Sequence, residues 1–218
     1  MIRVENSLCP DGAESMDIRK RMSEIIASQA KVIAEIKVTS EFEAAVHALR
    51  ACRGKVITTG LGKAGIIAKK FASTLCSTAT PAIFVHPSEA AHGDLGLIDE
   101  RDSIVAFSTS GKTNEVIEML ELSRHLGVKT IIGITSHPDS QLRRVSDIVL
   151  DMGAIEEPCP LGLTPTASTA VMLVISDAIA LTLMELKGVT REDFGLRHHG
   201  GYLGRKTRTD NVPHDKDS

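Results

Sequence analysis

The sequence predicts a three-layer, doubly wound α/β domain with a five-stranded parallel sheet flanked by helices. Three observations carry that expectation. Short apolar, β-branched runs recur without polar alternation, as strands buried on both faces require. Each run is followed by a stretch with helical spacing of its apolar residues. Glycine and hydroxyl residues gather where the runs end, which is where ligand loops of such sheets lie. A chain of 218 residues, 42% hydrophobic and 24% charged, has the size and composition of one globular domain.

In chain order, residues 1–14 read as an irregular lead-in, the domain as 15–206, and 207–218 as a polar tail expected to fray. Residues 14–37 place Met22, Ile25, Ile26, Ala30, Val32, Ile33 and Ile36 at helical spacing and predict a long amphipathic helix. Ser40 with Glu43 three residues on predicts a capping box at the head of a second helix, which runs through Phe42, Ala45, Val46 and Leu49. Strands are expected at 55–59, 81–85, 103–107, 128–134 and 147–151, and helices at 62–75, 114–126, 141–145, 167–186 and 191–196. The stretch 170–186 is the most apolar, but Ser176 and Asp177 interrupt it, so a buried core or interface helix is expected rather than a membrane span.

Composition narrows the function. The net charge of −3 provides no global basic field, and six aromatics (five Phe, one Tyr, no Trp) provide few stacking platforms, so neither a nucleic-acid nor a membrane partner is expected. The four cysteines, Cys9, Cys52, Cys76 and Cys159, form no CxxC pair, which fits thiols of a reducing, cytoplasmic setting. No apolar run follows the first six residues, so no signal peptide is expected.

Five segments carry chemistry. Gly60-Leu61-Gly62-Lys63-Ala64-Gly65 matches G-x-G-x-x-G between a strand and a helix, where Gly62 lets a ligand approach the backbone and Lys63 meets an anion. As a dinucleotide fingerprint it lacks the acid after the second strand, which ends in His86. Ser108-Thr109-Ser110-Gly111-Lys112-Thr113 is dense in hydroxyls and opens a helix, with Ser110 as the expected N-cap. It contains G-K-T, but a Walker A loop would need glycine at Ala106, so it suits a small phosphate better than a triphosphate. The segment 86–96 holds His86, Glu89, His92 and Asp94 within nine residues, groups suited to acid–base work and in no standard zinc spacing. Glu156 and Glu157 head a loop stiffened by Pro158, Pro160 and Pro165, and residue chemistry alone does not choose between the two acids. Adjacent His198 and His199 precede two glycines in a titratable segment.

Together, Gly60-Leu61-Gly62-Lys63, residues 86–96 (HPSEAAHGDLG), Ser108-Thr109-Ser110-Gly111, residues 159–166 (CPLGLTPT) and residues 198–204 (HHGGYLG) resemble the SIS (sugar isomerase) domain, and within it the arabinose 5-phosphate isomerase family. That resemblance, over roughly 15–206, implies an aldose–ketose isomerase that interconverts D-ribulose 5-phosphate and D-arabinose 5-phosphate through a cis-enediol. The product feeds Kdo synthesis for lipopolysaccharide or capsule, and the family usually assembles as a homotetramer. Lys63, Glu115, Glu157 and His198 match its catalytic positions. Gly62, Thr80, His86, His92, Ser108, Thr109, Ser110 and Thr113 complete the expected substrate contacts. No cofactor is required, and His86 matches a position where a divalent metal such as zinc binds as an inhibitor.

The sequence departs from the family in three places. Ser108-Thr109-Ser110-Gly111 replaces the usual S-N-S-G, and Arg197-His198-His199-Gly200-Gly201 replaces S-H-P-G-G, so His199 competes with His198. Many members continue into paired CBS modules, and the expectation here is the short form without them. The rival readings are a sugar-phosphate-binding SIS module without catalysis and a SIS isomerase of another sugar phosphate.

Overall fold

A computed structural model of the chain describes residues 16–198. The expected lead-in over 1–14, the frayed tail and His199 lie outside the described residues. The elements run α1 (Ile18–Ala34), α2 (Ser40–Ala51), β1 (Val56–Gly60), α3 (Gly62–Ser77), β2 (Ala82–Phe84), α4 (Pro87–Ala90), β3 (Ser103–Phe107), α5 (Asn114–His125), β4 (Thr130–Thr135), α6 (Gln141–Val145), β5 (Ile148–Asp151), α7 (Ala167–Leu186) and α8 (Arg191–Gly195). α4 and a 3-10 turn at Asp94–Leu97 give structure to a segment that reads as loop in the sequence, because Pro87 at the first helical position favours a turn there.

The five strands form one sheet of order β2-β1-β3-β4-β5, with every pairing parallel. This bears out the expected architecture. Strand order reverses at β1: the chain moves outward to β2, then returns to β3 on the other side. Gly60 pairs with Phe107, so the loops that leave β1 and β3 start side by side at the switch point, where open α/β sheets bind ligands.

Alternation along the strands explains the three layers. Val105 and Phe107 of β3, with Ile132 and Ile134 of β4, join Phe42, Leu49, Phe71, Leu75, Val171 and Leu183 on the face covered by α2, α3 and α7. Ile104 and Ala106, with Ile57 and Ile131, meet Val116, Met119, Leu120 and Leu142 of α5 and α6 on the other face. Phe71 and Phe107 pack edge to face at 5.9 Å between ring centres. At the amino end of the sheet, buried Asp102 accepts from the Lys55 backbone at 2.8 Å, the Lys55 ammonium at 2.8 Å and the Asp99 backbone at 2.8 Å.

Two expectations about the helices change. Ser40 does not cap α2: it is the first helical residue, and both it and the N-cap Thr39 give their hydroxyls to Glu41 (3.2 and 2.6 Å) instead of to the backbone. The capping box lies at α8, between Thr190 and Asp193. α7 is long and apolar enough to cross a membrane by length and composition, yet half of it is buried within this fold against α1, α2 and α3, as a core helix would be.

Candidate active site

The β1 loop needs its glycines for separate reasons. Gly62 adopts φ +59°, in the left-handed region. Gly65 packs so closely on the Gly60 carbonyl that a Cβ would collide with it, which seats the first turn of α3 directly on the end of β1. Lys63 stands exposed in that first turn and has no ion-pair partner among the described residues.

The β3 loop is a folded cradle. Ser108, 4% exposed, accepts the Gly111 N–H on its hydroxyl at 3.0 Å and on its carbonyl at 3.1 Å. Its hydroxyl also pairs with that of Thr113 at 3.0 Å. Ser110, the expected N-cap of α5, instead accepts the Lys112 N–H at 3.2 Å. The N-cap is Thr113, and its hydroxyl faces Ser108 rather than the backbone. The first-turn N–H groups of α5 therefore have no side-chain cap, the condition under which a helix start receives an anion. Glu115 lies exposed in the same turn.

The elements after β4 brace this cradle, a role the motif reading missed. Thr109 O accepts both the Thr135 hydroxyl and the Ser136 N–H at 3.1 Å, and Gly111 O accepts the Leu142 N–H at 2.9 Å. Gly111, at φ +61°, lies so close to Ser140 and Thr135 that it has no room for a side chain. Thr135 and Ser140 belong to no motif: Thr135 ends β4 and Ser140 is the N-cap of α6.

After β2, His86 is the half-buried N-cap of α4, edge to face with Phe84 at 6.3 Å, and its Nδ1 is buried with no hydrogen-bond partner. His92 is exposed beyond α4. Among the described residues no three His, Cys, Asp or Glu side chains gather to hold an ion, so His86 offers a single ligand and no protein-only metal cage forms around it.

The structure chooses between the adjacent acids. Glu156 is exposed, whereas Glu157 turns inward onto the start of α7. One Glu157 oxygen accepts the Thr166 and Ala167 N–H groups at 2.8 Å and the Thr166 hydroxyl at 3.0 Å. The other accepts the Ser168 N–H at 3.1 Å and the Ser168 hydroxyl in a short contact. Burial works to raise the Glu157 pKa, but the hydrogen bonds from Ser168, Thr166 and Ala167 outweigh it and hold the carboxyl below the usual range. In this conformation Glu157 is a saturated helix cap and a weakened base. In the same loop, the Cys159 sulfur accepts the Leu163 and Thr164 N–H groups, both at 3.2 Å. Bonds from Thr164 lead the causes that lower its pKa to about 7.

Two expected site residues lie elsewhere. Thr80 precedes β2 and so sits at the amino end of the sheet, where its hydroxyl accepts the Lys187 ammonium at 2.9 Å. α7 starts at the carboxyl end and carries the chain back, so α8 and His198 follow at the amino end as well. There Arg197 lines a hollow of about 420 Å³ with Ser73, Ser77 and Thr80. His198 stacks on Phe194 at 4.1 Å, with its Nδ1 buried and unpartnered. The length of the strands, about 17 Å, separates this group from the cradle within one chain.

The SIS domain profile matches residues 49–182. The chain is 41% identical over 205 residues to the arabinose 5-phosphate isomerase KdsD of Shigella flexneri, covering 92% of this chain and 62% of that protein. It is 45% identical over 170 residues to KdsD of Pseudomonas aeruginosa, covering 78% and 52%. It thus spans between half and two thirds of the length of these curated relatives. Among solved structures, a Bacteroides fragilis protein described as a phosphosugar isomerase involved in capsule formation is 43% identical, covers 85% of this chain and 99% of its own, and superposes with TM-score 0.81. An Escherichia coli CFT073 protein in complex with arabinose 5-phosphate is 38% identical, with coverage of 84% and 98% and TM-score 0.80. With a family profile over most of its length and near-complete structural relatives of this identity, the chain belongs to the SIS domain family.

Proposed function

We propose that this protein is an arabinose 5-phosphate isomerase, interconverting D-ribulose 5-phosphate and D-arabinose 5-phosphate in the cytoplasm to supply Kdo for lipopolysaccharide or capsule. The observation that carries the reading is the identity of 41% and 45% to curated enzymes of that name, alongside a 38% identical relative in complex with arabinose 5-phosphate.

In this reading the phosphate binds on the 108–113 cradle, receiving bonds from Ser108, Thr109, Ser110 and Thr113 and from the uncapped start of α5. That binding energy fixes the reacting end of the sugar near Lys63, His86 and His92. A base removes the proton from C1 of the ketose, giving a cis-enediolate, and the proton returns at C2 to give the aldose. Base catalysis contributes about 10²–10⁴-fold, and Lys63 adds to it by stabilising the enediolate oxygens. Because Glu157 is engaged in capping α7, proton transfer falls to His198, and Glu115 orients its neighbours.

His198, Arg197 and Thr80 reach the site from a second subunit of a homotetramer. The apolar surface of the single chain supports such assembly: Met22 and Ile26 of α1 are exposed, and a groove of about 880 Å³ between α1, α2 and α7 is lined by Ile33, Ile36, Val46, Val174 and Leu186. A divalent ion such as zinc would be held through His86 and would act as an inhibitor rather than as a cofactor.

The test is turnover of three ketose phosphates: ribulose 5-, fructose 6- and sedoheptulose 7-phosphate. Conversion of the first alone to its aldose is expected. Preference for a longer sugar would move the protein to another SIS isomerase, and binding without turnover of any would make it a regulatory module.

A further inference from the structure

We propose that Arg21 of α1 is a positioning residue for the loop between β5 and α7, holding it against the start of α7 at the carboxyl end of the sheet, beside the proposed site. The Arg21 guanidinium donates through Nη2 to the Pro158 carbonyl at 2.5 Å, while Nη1 lies 3.4 Å from Glu24 one turn further along α1. The bond is part-buried and ties the first helix to a segment distant in sequence. Pro158 stands between Glu157, which caps α7, and Cys159, whose sulfur gathers the Leu163 and Thr164 N–H groups. The loop is therefore held at its α7 end by Glu157, internally by Cys159, and against α1 by Arg21. A planar fork that bonds a carboxylate with one arm and a carbonyl with the other fixes both direction and distance.

α1 is a lever suited to this role. None of its described residues is fully buried; Val32 and Ile33 pack on the core from its last turns, while Ile18, Met22 and Ile26 remain exposed around Arg21. Whatever settles the first half of α1 also settles the Pro158 carbonyl, so packing on the exposed face of α1 is transmitted to the Glu157 loop. The kinetic consequence rests on the isomerase reading; the structural consequence does not.

The experiment compares Arg21→Met and Arg21→Lys in the full chain by amide hydrogen exchange and steady-state kinetics. In Arg21→Met, peptides covering 159–166 should exchange at least ~tenfold faster while those covering β3 stay unchanged. kcat should fall about tenfold with KM steady, and Arg21→Lys should restore much of both. Wild-type exchange in the 159–166 peptides would overturn the proposal. So would equal acceleration in loop and sheet, which marks a general stability effect, or a faster loop with unchanged kcat. If the wild-type protein turns over no sugar phosphate, the isomerase reading fails while the exchange result still decides whether Arg21 holds the loop.

Discussion

Glu157 shows how one side chain changes meaning between sequence and structure. Its place in a proline-rich loop suggests a base, yet five donors from the start of α7 surround it and depress its pKa. With the folded pKa below the unfolded value of ~4.3, the ionised carboxylate stabilises the fold above that pH, and the contribution is lost as pH falls through the folded value. Glu157→Gln should therefore cost about 1–2 kcal/mol at neutral pH, a typical cap loss, with the gap to wild type closing below about pH 4 in denaturant titrations. Near-equal stability of the two at pH 7 would contradict the capping role. His198 should behave in the opposite way: His198→Ala should leave stability close to wild type and lower kcat more than ~10²-fold with phosphate binding retained. Near-normal turnover of that variant would remove His198 from proton transfer.

Among the elements, the 108–113 cradle depends most on its neighbours. Gly111 combines a left-handed φ with contact against Ser140 and Thr135, so Gly111→Ala both strains the backbone and pushes the loop off its brace. KM for the sugar phosphate should rise at least ~tenfold while the thermal midpoint falls by only a few degrees, and an unchanged KM would show that the cradle does not hold the phosphate. Much at this scale was legible in the sequence. All five strands were readable as apolar runs, because a strand buried on both faces has little freedom in composition. The cradle was readable because hydroxyls and glycine concentrate before a helix. The caps were less so. Ser40 and Ser110 fit cap patterns, but the Ser40 hydroxyl goes to Glu41 and the Ser110 hydroxyl accepts the Lys112 N–H, and such competition is settled in three dimensions. The bracing by Thr135 and Ser140 had no local signature, since it depends on which strands become neighbours.

For the whole molecule, the main result is the separation of two groups of expected site residues onto opposite ends of one sheet. Lys63, Ser108, Thr113 and Glu115 lie at the carboxyl end, and Thr80 and His198 at the amino end. No spacing rule in the sequence reveals this, because it follows from the direction in which α7 returns. If sites are shared between subunits, co-assembling Lys63→Ala and His198→Ala chains should restore about one quarter of wild-type activity, the share of sites that receive both intact residues. No recovery would place each site within one subunit. The proposed activity is chemistry at C1 and C2 of a five-carbon sugar phosphate. It is tested most directly by incubating the protein with ribulose 5-phosphate in D₂O and reading the product by NMR. Arabinose 5-phosphate carrying deuterium at C2 is predicted. Recovery of unlabelled, unconverted ribulose 5-phosphate would contradict it.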